Sequence, residues 1–241
     1  MMFNITMEEG YRKLFGRPIE KQKLLLFKEF KNLLIEKNKV MNLTTITEDK
    51  EIAIKHFLDS LTLLLLDSYP SGKDKIIDVG TGGGFPGIPL KIMEPDLDIT
   101  LLDSLKKRVD FLKETGDTLG FHHYCPLHGR AEDMGRDNNY RERYDYGVSR
   151  AVAPLPTLLE YTLPFIKVGG SFLCQKGPGI FDELEDSKRA LKVLGGEVSE
   201  IKEIALPFAQ RRHQILVVKK SFSTPEKYPR QPGKPSKKPI I

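Results

Sequence analysis

The sequence predicts an α/β protein: a mostly parallel sheet of seven strands covered by helices and preceded by a helical extension. Three observations predict it. Residues 1–70 carry helical spacing. From residue 73 onward, short β-rich runs alternate with helical stretches. The first of those runs ends in an acid and passes into a loop with five glycines, IIDVGTGGGFPGIPL at 76–90.

The elements follow in order. Thr6-Met7-Glu8-Glu9 matches a capping box, in which a hydroxyl and a carboxylate satisfy orphan amides reciprocally, and so starts a first helix. Pro18 suits the first turn of a second helix, which Leu26, Phe30, Leu33 and Leu34 continue at helical spacing. Thr47, with acids at 48, 49 and 51, opens a third, striped by Ile54, Leu58, Leu61 and Leu65. Strands are expected at 75–80, 98–103, 122–127, 144–149, 171–175, 197–204 and 213–219. Helices are expected between them at 87–93, 105–119, 154–167 and 180–194. Gly169-Gly170 reads as a turn before the fifth strand. No helix separates the last two strands, so they should form an antiparallel hairpin at a sheet edge. The chain therefore divides into a helical extension (1–70), an α/β domain (71–220) and a tail (221–241).

Composition narrows the class. A chain of 241 residues with a 39% hydrophobic and 29% charged share can build a sizeable core. Its longest clear apolar run, LTLLLL at 61–66, is far short of the roughly 18 residues that span a bilayer. The start, MMFNITMEEG, lacks the basic-then-apolar order of a signal peptide. Two cysteines imply no disulfide framework, and a reducing cytoplasm is the expected location. The five histidines and two cysteines show no paired spacing for a metal. Of the net charge of +5, the tail holds +4: Lys227, Arg230, Lys234, Lys237 and Lys238 against Glu226. With its five prolines it reads as extended and flexible, either a solubilising end or an arm for nucleic-acid phosphates.

In a parallel sheet, ligands bind beyond the carboxyl ends of the strands, so the glycine loop should line the site. Gly82-x-Gly84-x-x-Gly87 matches the dinucleotide fingerprint formally, but begins too late after the strand. The phosphate-loop pattern fails because Ile88 and Pro89 stand where Lys and Ser/Thr belong. A carboxylate at Asp78 beside the loop repels a pyrophosphate and attracts an ammonium and a sulfonium, which points to S-adenosylmethionine. Gly80 and Gly82 would shape that loop around the ligand. Asp103, ending the second strand, can accept hydrogen bonds from both ribose hydroxyls, a signal shared with NAD. Polar groups in Gly129-Arg130-Ala131-Glu132-Asp133, after the third strand, could hold an adenine.

The segments DVGTGGGFPGIPL, LLDSLKKRVDFL, GRAED, VSRAVAPL and QKGP stand in this order, and together they resemble the bacterial 16S ribosomal RNA guanine-N7 methyltransferase family (glucose-inhibited division protein B). The likeness spans roughly residues 20–220, and the ending EKYPRQPGKPSKKP is similar to Gram-positive members. Phe85-Pro86 inside the loop makes it far more specific than the glycines alone. The resemblance implies a class I, Rossmann-like methyltransferase fold with an N-terminal helical extension. It also implies that Gly80, Phe85, Ala131, Glu132 and Arg150 contact S-adenosylmethionine, with Asp103-Ser104-Leu105 at its ribose and adenine.

The substrate atom is read from what the sequence lacks and has. Carbon-5 methylation of a pyrimidine needs a cysteine nucleophile, yet Cys125 and Cys174 fall within strands as buried small apolar residues. The turn typical of exocyclic-amine methylation is replaced by Ser149-Arg150-Ala151-Val152-Ala153-Pro154. Guanine N7 carries an in-plane lone pair and needs no general base, so alignment can supply the catalysis. Arg150 and Lys176, ending the fourth and fifth strands, are candidates for positioning guanine or RNA. Arg211 and Arg212, opening the last strand, are candidates for the RNA backbone, and His56 reads as a capping or packing residue. The expected partner is 16S ribosomal RNA or a small-subunit precursor, met by a monomer without metal or membrane. A small-molecule methyltransferase, a ribosome-binding module without catalysis and an NAD-dependent enzyme remain as alternatives.

Overall fold

The computed structural model describes residues 2–70, 74–150, 153–177, 179–209 and 212–241. One seven-stranded sheet runs in the order β3-β2-β1-β4-β5-β7-β6. Its strands are β1 (Lys75–Val79), β2 (Asp98–Asp103), β3 (Tyr124–His128), β4 (Tyr144–Arg150), β5 (Ile166–Lys176), β6 (Gly196–Ala205) and β7 (Arg212–Lys220). The first five pair in parallel, whereas β7 runs antiparallel to both β5 and β6. The expected terminal hairpin is present, with β7 on the inside and β6 at the edge.

Sequential strands move outward one way through β1, β2 and β3 and the other way through β4 and β5. The order thus reverses between β1 and β4, and a crevice opens above the carboxyl ends at such a switch point. Pleating sends alternate side chains to opposite faces. Ile76, Val148, Leu173 and Val217 join one core cluster, while Ile77 and Val79 join another on the opposite face. The first face carries α5 (Gly87–Met93) and α6 (Lys106–Leu119); α8 (Leu155–Thr162) and α9 (Ile180–Leu194) pack on the second with Phe172, Cys174, Leu216 and Val218. Between them, α7 (Ala131–Met134) follows β3.

The extension comprises α1 (Met2–Phe15), α2 (Lys21–Met41), α3 (Asp49–Ile52), a π-helical turn (Ala53–Leu58) and α4 (Asp59–Leu61). Phe57 is fully buried at its centre, edge-on to Phe3, Phe27, Phe30 and Phe85 at 5.3–5.6 Å. Phe3, Phe27, Phe30 and Leu34 belong to the same cluster as Ile88, Leu101 and Leu112. The extension and the sheet therefore share one core.

Several boundaries differ from the sequence expectation. Thr6 is buried inside α1, so the capping-box pattern does not start that helix. The buried face of Phe3, Met7 and Tyr11 extends the helix backward past the local signal. Helix α2 begins only at Lys21, leaving Pro18 in the connection. Gly169-Gly170 lies within β5, where pairing jumps from Tyr144–Ile166 to Tyr146–Ser171 and the intervening residues bulge outward. Cys125, expected to be buried, is exposed because β3 is an edge strand; Cys174 is buried as expected.

The largest difference concerns residues 221–241. They pack onto the body instead of standing free, and end in a short helix, α10 (Lys234–Lys237). A proline-rich segment has carbonyls to offer and few amide donors. Arg136 Nε donates to Pro229 O at 2.7 Å, and the Arg141 guanidinium donates to the carbonyls of Thr224, Pro225 and Tyr228. Arg230 forks onto the fully buried Glu160, with Nη2–Oε2 at 2.6 Å and Nε–Oε1 at 2.9 Å. Ile240 closes the contact inside the α8–α9 cluster.

Replacing Phe57 by alanine empties the centre of the aromatic cluster. Urea denaturation should show about 3–5 kcal/mol less stability, with a cooperative transition retained.

Candidate functional site

A hollow of ≈ 380 Å³ lies above the switch point. Its walls include Gly80 after β1, Asp103 and Ser104 after β2, Ala131 and Glu132 after β3, and Arg150 at the end of β4. Six expected cofactor residues, far apart in the chain, therefore meet in one cavity.

The glycine loop is held from below and from its rim. Asp78 is fully buried; its Oδ2 accepts from Thr81 Oγ1 at 2.7 Å and from Gly87 N, the start of α5, at 2.9 Å. Its side chain clamps the turn through Oδ2, while Oδ1 is buried without a hydrogen-bond partner among the described residues. Asp78 itself does not line the hollow, although Val79 and Gly80 do. Burial raises the Asp78 carboxyl to about 7, against the hydrogen bonds from Thr81 and Gly87. Gly80, Gly82 and Gly84 adopt φ of +74°, +59° and +94°, which glycine tolerates and side-chain-bearing residues rarely adopt. Gly82 N donates to Asp103 Oδ2 at 2.9 Å, and Leu105 N donates to Asp103 Oδ1 at 2.9 Å. Gly82 thus braces Asp103 instead of lining the cavity itself. Leu105 is exposed at the start of α6 and contributes through this amide.

Phe85, expected against the cofactor, packs away from it. Its ring stacks on His56 at 4.8 Å and meets Phe30 at 5.3 Å, because the extension supplies an aromatic surface for it. The Arg150 guanidinium lies over the same ring, 5.0 Å from its centre. Arg150 Nη1 also donates to Asp59 Oδ2 at 3.0 Å and to the carbonyls of Lys55 and His56 at 3.1 and 3.2 Å. Asp59 has His213 Nδ1 on its other oxygen at 3.0 Å. Burial raises the Asp59 carboxyl, but His213 and Arg150 outweigh it and the net shift is downward. Arg150 therefore borders the cavity while its charge is committed to the extension. His56 is a packing residue as expected: Nε2 lies 2.7 Å from Thr44 Oγ1, and burial, then Arg150, lowers the ring to about 4.

The expected RNA-facing cations fare differently. Lys176 Nζ donates to Ala153 O at 2.8 Å and Glu183 Oε2 at 2.7 Å and is nearly buried, so it ties β5 to α9 instead of reaching outward. Arg212 is exposed and pairs with Glu203 at 2.7 Å. Arg211 lies outside the described residues, as do Ala151, Val152 and Pro178.

Sequence reading missed part of the wall. Arg108 and Tyr161 line the hollow, and so do Gly233 and Ser236 of the tail. Arg108 Nε is buried without a hydrogen-bond partner among the described residues, a donor left for a ligand. The tail residues escaped notice because composition marked them as flexible. A signal existed in the fully buried Glu160 on the apolar helix LPTLLEYT, since such an acid needs a cationic partner. Arg136, Lys227, Arg230 and Lys234 rim a second hollow of ≈ 420 Å³ on the tail's outer side. Among the described residues no helix is long and apolar enough to cross a membrane, and no group of three or more His, Cys, Asp or Glu could hold a metal ion.

Residues 23–216 match the family described as rRNA small subunit methyltransferase G. The chain is 51% identical over 240 residues, all of both chains, to ribosomal RNA small subunit methyltransferase G of Alkaliphilus metalliredigens. It is 56% identical over 212 residues, 88% of both chains, to the protein of that name from Alkaliphilus oremlandii. Solved structures show the fold. A chain from the complex of the Haloferax volcanii Trm112 methyltransferase activator with a methyltransferase aligns at TM-score 0.57, with 16% identity, over 78% of this chain and 98% of that one. A SAM-dependent methyltransferase from Aquifex aeolicus aligns at 0.52, with 15% identity, over 73% and 96%.

Two outcomes check this geometry. Arg150→Met strands the buried Asp59 carboxylate, and urea denaturation should show a loss of about 3–5 kcal/mol. Asp78 has a folded-state pKa above its unfolded value, so the folded protein holds the extra proton between about pH 4 and 7 and loses stability as pH rises through that window. Asp78→Asn keeps an acceptor for Thr81 and Gly87 but cannot ionise. Its stability relative to the native chain should rise from about pH 4.5 to 7.5, and parallel profiles would contradict the burial argument.

Proposed function

This chain belongs to the rRNA small subunit methyltransferase G family, and from that premise we propose that it transfers a methyl group from S-adenosylmethionine to N7 of a guanine in 16S ribosomal RNA. The observation that carries the reading is the cavity that gathers Gly80, Asp103, Ala131, Glu132 and Arg150 at the switch point. The donor set suits a nucleoside cation. Asp103 offers a carboxylate at the second strand end, and Arg108 Nε is an unpartnered donor beside it. S-adenosylmethionine supplies an electrophilic methyl group on a sulfonium.

The protein's residues then hold and orient. Asp78 fixes the loop, Asp103 faces the ribose, and the Ala131-Glu132 turn faces the base. Arg150 braces the site against the extension. N7 presents its own lone pair, so alignment of the nucleophile with the methyl donor is the main demand on the enzyme. Neither cysteine lines the cavity, and burial pushes the Cys174 thiol up to about 12, which disfavours thiolate chemistry on a pyrimidine. The basic hollow rimmed by Arg136, Lys227 and Lys234 is the surface proposed for RNA phosphates, a role taken over from Lys176 and Arg212, whose charges are paired. The substrate is naked 16S RNA or a small-subunit precursor, met by a monomer in the cytoplasm.

Incubation with methyl-labelled S-adenosylmethionine and small-subunit RNA lacking this modification should label N7 of one guanine. Label at another atom, or none, overturns the proposal; turnover without RNA replaces it with a small-molecule activity. Lys227→Glu should weaken RNA binding and reduce the slope of log affinity against log salt by about one or more.

A further inference from the structure

Residues 228–236 reach the cavity proposed for the nucleoside. They contribute Gly233 and Ser236 to the wall that contains Gly80, Asp103 and Glu132. Gly233 N donates to Glu132 Oε1 at 2.8 Å, so a tail amide holds the side chain of a residue at the expected base end of the pocket. Ser236 Oγ donates to Gly233 O at 3.2 Å, and Tyr161 lines the same cavity from α8.

This contact is built, not draped. Arg230 is fixed by a double fork onto Glu160, the residue preceding Tyr161, and Glu160 is fully buried. The Arg230 backbone amide donates to the same carboxylate at 2.7 Å. Pro235 is buried, and its carbonyl accepts from Thr157 Oγ1 at 3.2 Å. Upstream, the buried Lys220 ammonium bonds Leu163 O and Thr224 Oγ1, fixing the point where the segment leaves β7. Gly233 has φ of +80° and open space where a Cβ would stand, so the backbone turn, not crowding, demands glycine there.

We propose that residues 228–236 form a strap that completes the S-adenosylmethionine site, with Gly233 and Ser236 as positioning residues for the nucleoside end and the Arg230–Glu160 pair as its anchor. The inference rests on the reading of the cavity as the cofactor site. The strap shields Glu132 and Tyr161 from water, so polar contacts to the nucleoside form in a drier setting, where they are stronger. The same segment also lines the basic hollow of Arg136, Lys227 and Lys234 through Tyr228, Arg230 and Gln231. One segment thus contributes to both hollows.

The test measures binding of S-adenosylmethionine by calorimetry, with no turnover. One variant ends at Tyr228 and carries Glu160→Leu, so that the fully buried carboxylate of Glu160 is not left without its cation. A second, full-length variant carries Gly233→Val, which strains the turn without filling occupied space. The truncated chain should bind at least about tenfold more weakly, and Gly233→Val should weaken binding in the same direction. Saturating S-adenosylmethionine should also slow trypsin cleavage after Arg230 in the intact chain. Unchanged affinity in both variants, or loss of RNA affinity alone, overturns the strap; if the truncated chain does not fold, Gly233→Val and the protection assay decide. Failure of the intact chain to bind S-adenosylmethionine would instead remove the reading of the cavity itself.

Discussion

The Arg150–Asp59 pair is the interaction on which the arrangement above the sheet depends. It joins the end of β4 to the extension at 3.0 Å, with side chains 14% and 5% exposed. A buried ion pair is costly unless its remaining donors and acceptors are satisfied. Here the guanidinium also reaches the carbonyls of Lys55 and His56, the Ser60 hydroxyl and the Phe85 ring. Asp59 receives His213 from β7, and its carbonyl accepts from Gln175 of β5 at 2.7 Å. Three strands and the glycine loop are thereby referred to one point on the extension. The hydrogen bond to Asp59 raises the His213 pKa, so the imidazolium contribution is fullest below the unfolded value and fades as pH rises past the folded one.

The loop position follows from this frame. Phe85 is pinned among Phe30, His56 and Phe57, which belong to the extension, while the other end of the loop continues directly from β1. A loop so tethered cannot relax toward the sheet or away from it. The extension thus works as a buttress for the cofactor site, although it contributes no wall residue to the hollow.

What the sequence revealed was whatever local terms decide. Strands such as KIIDV and DITLLD were legible from apolar runs that carry an acid at or near their end, and the terminal hairpin from a missing helix. Cavity residues Gly80 and Asp103 were legible from their place at strand ends, and Ala131 and Glu132 from the GRAED segment of the family resemblance. The protein partners of Phe85 and Lys176, His56 and Glu183, were not legible because they are distant in the chain or follow a turn whose direction local pattern does not fix. The tail was hidden for a related reason. Proline and lysine content measures what a segment cannot do alone, and says nothing of the guanidinium groups on Arg136 and Arg141 that receive its carbonyls. The clamp at Asp78 was not legible, because local pattern does not show that Thr81 and Gly87 turn back to meet its carboxylate.

That clamp adds a reason for the ligand choice. A pyrophosphate is held by free amides in a glycine loop and at the start of the following helix. In this loop most of those amides are already engaged. Gly80 N and Thr81 N bond Leu102 O, Gly82 N bonds Asp103, Gly84 N and Phe85 N bond Thr81 O, and Gly87 N bonds Asp78. An anion seeking the Gly82 or Gly87 amide would have to displace a carboxylate. A sulfonium ligand seeks acceptors and makes no such demand. Asp78 therefore also opposes a dinucleotide by occupying the amide at the helix start.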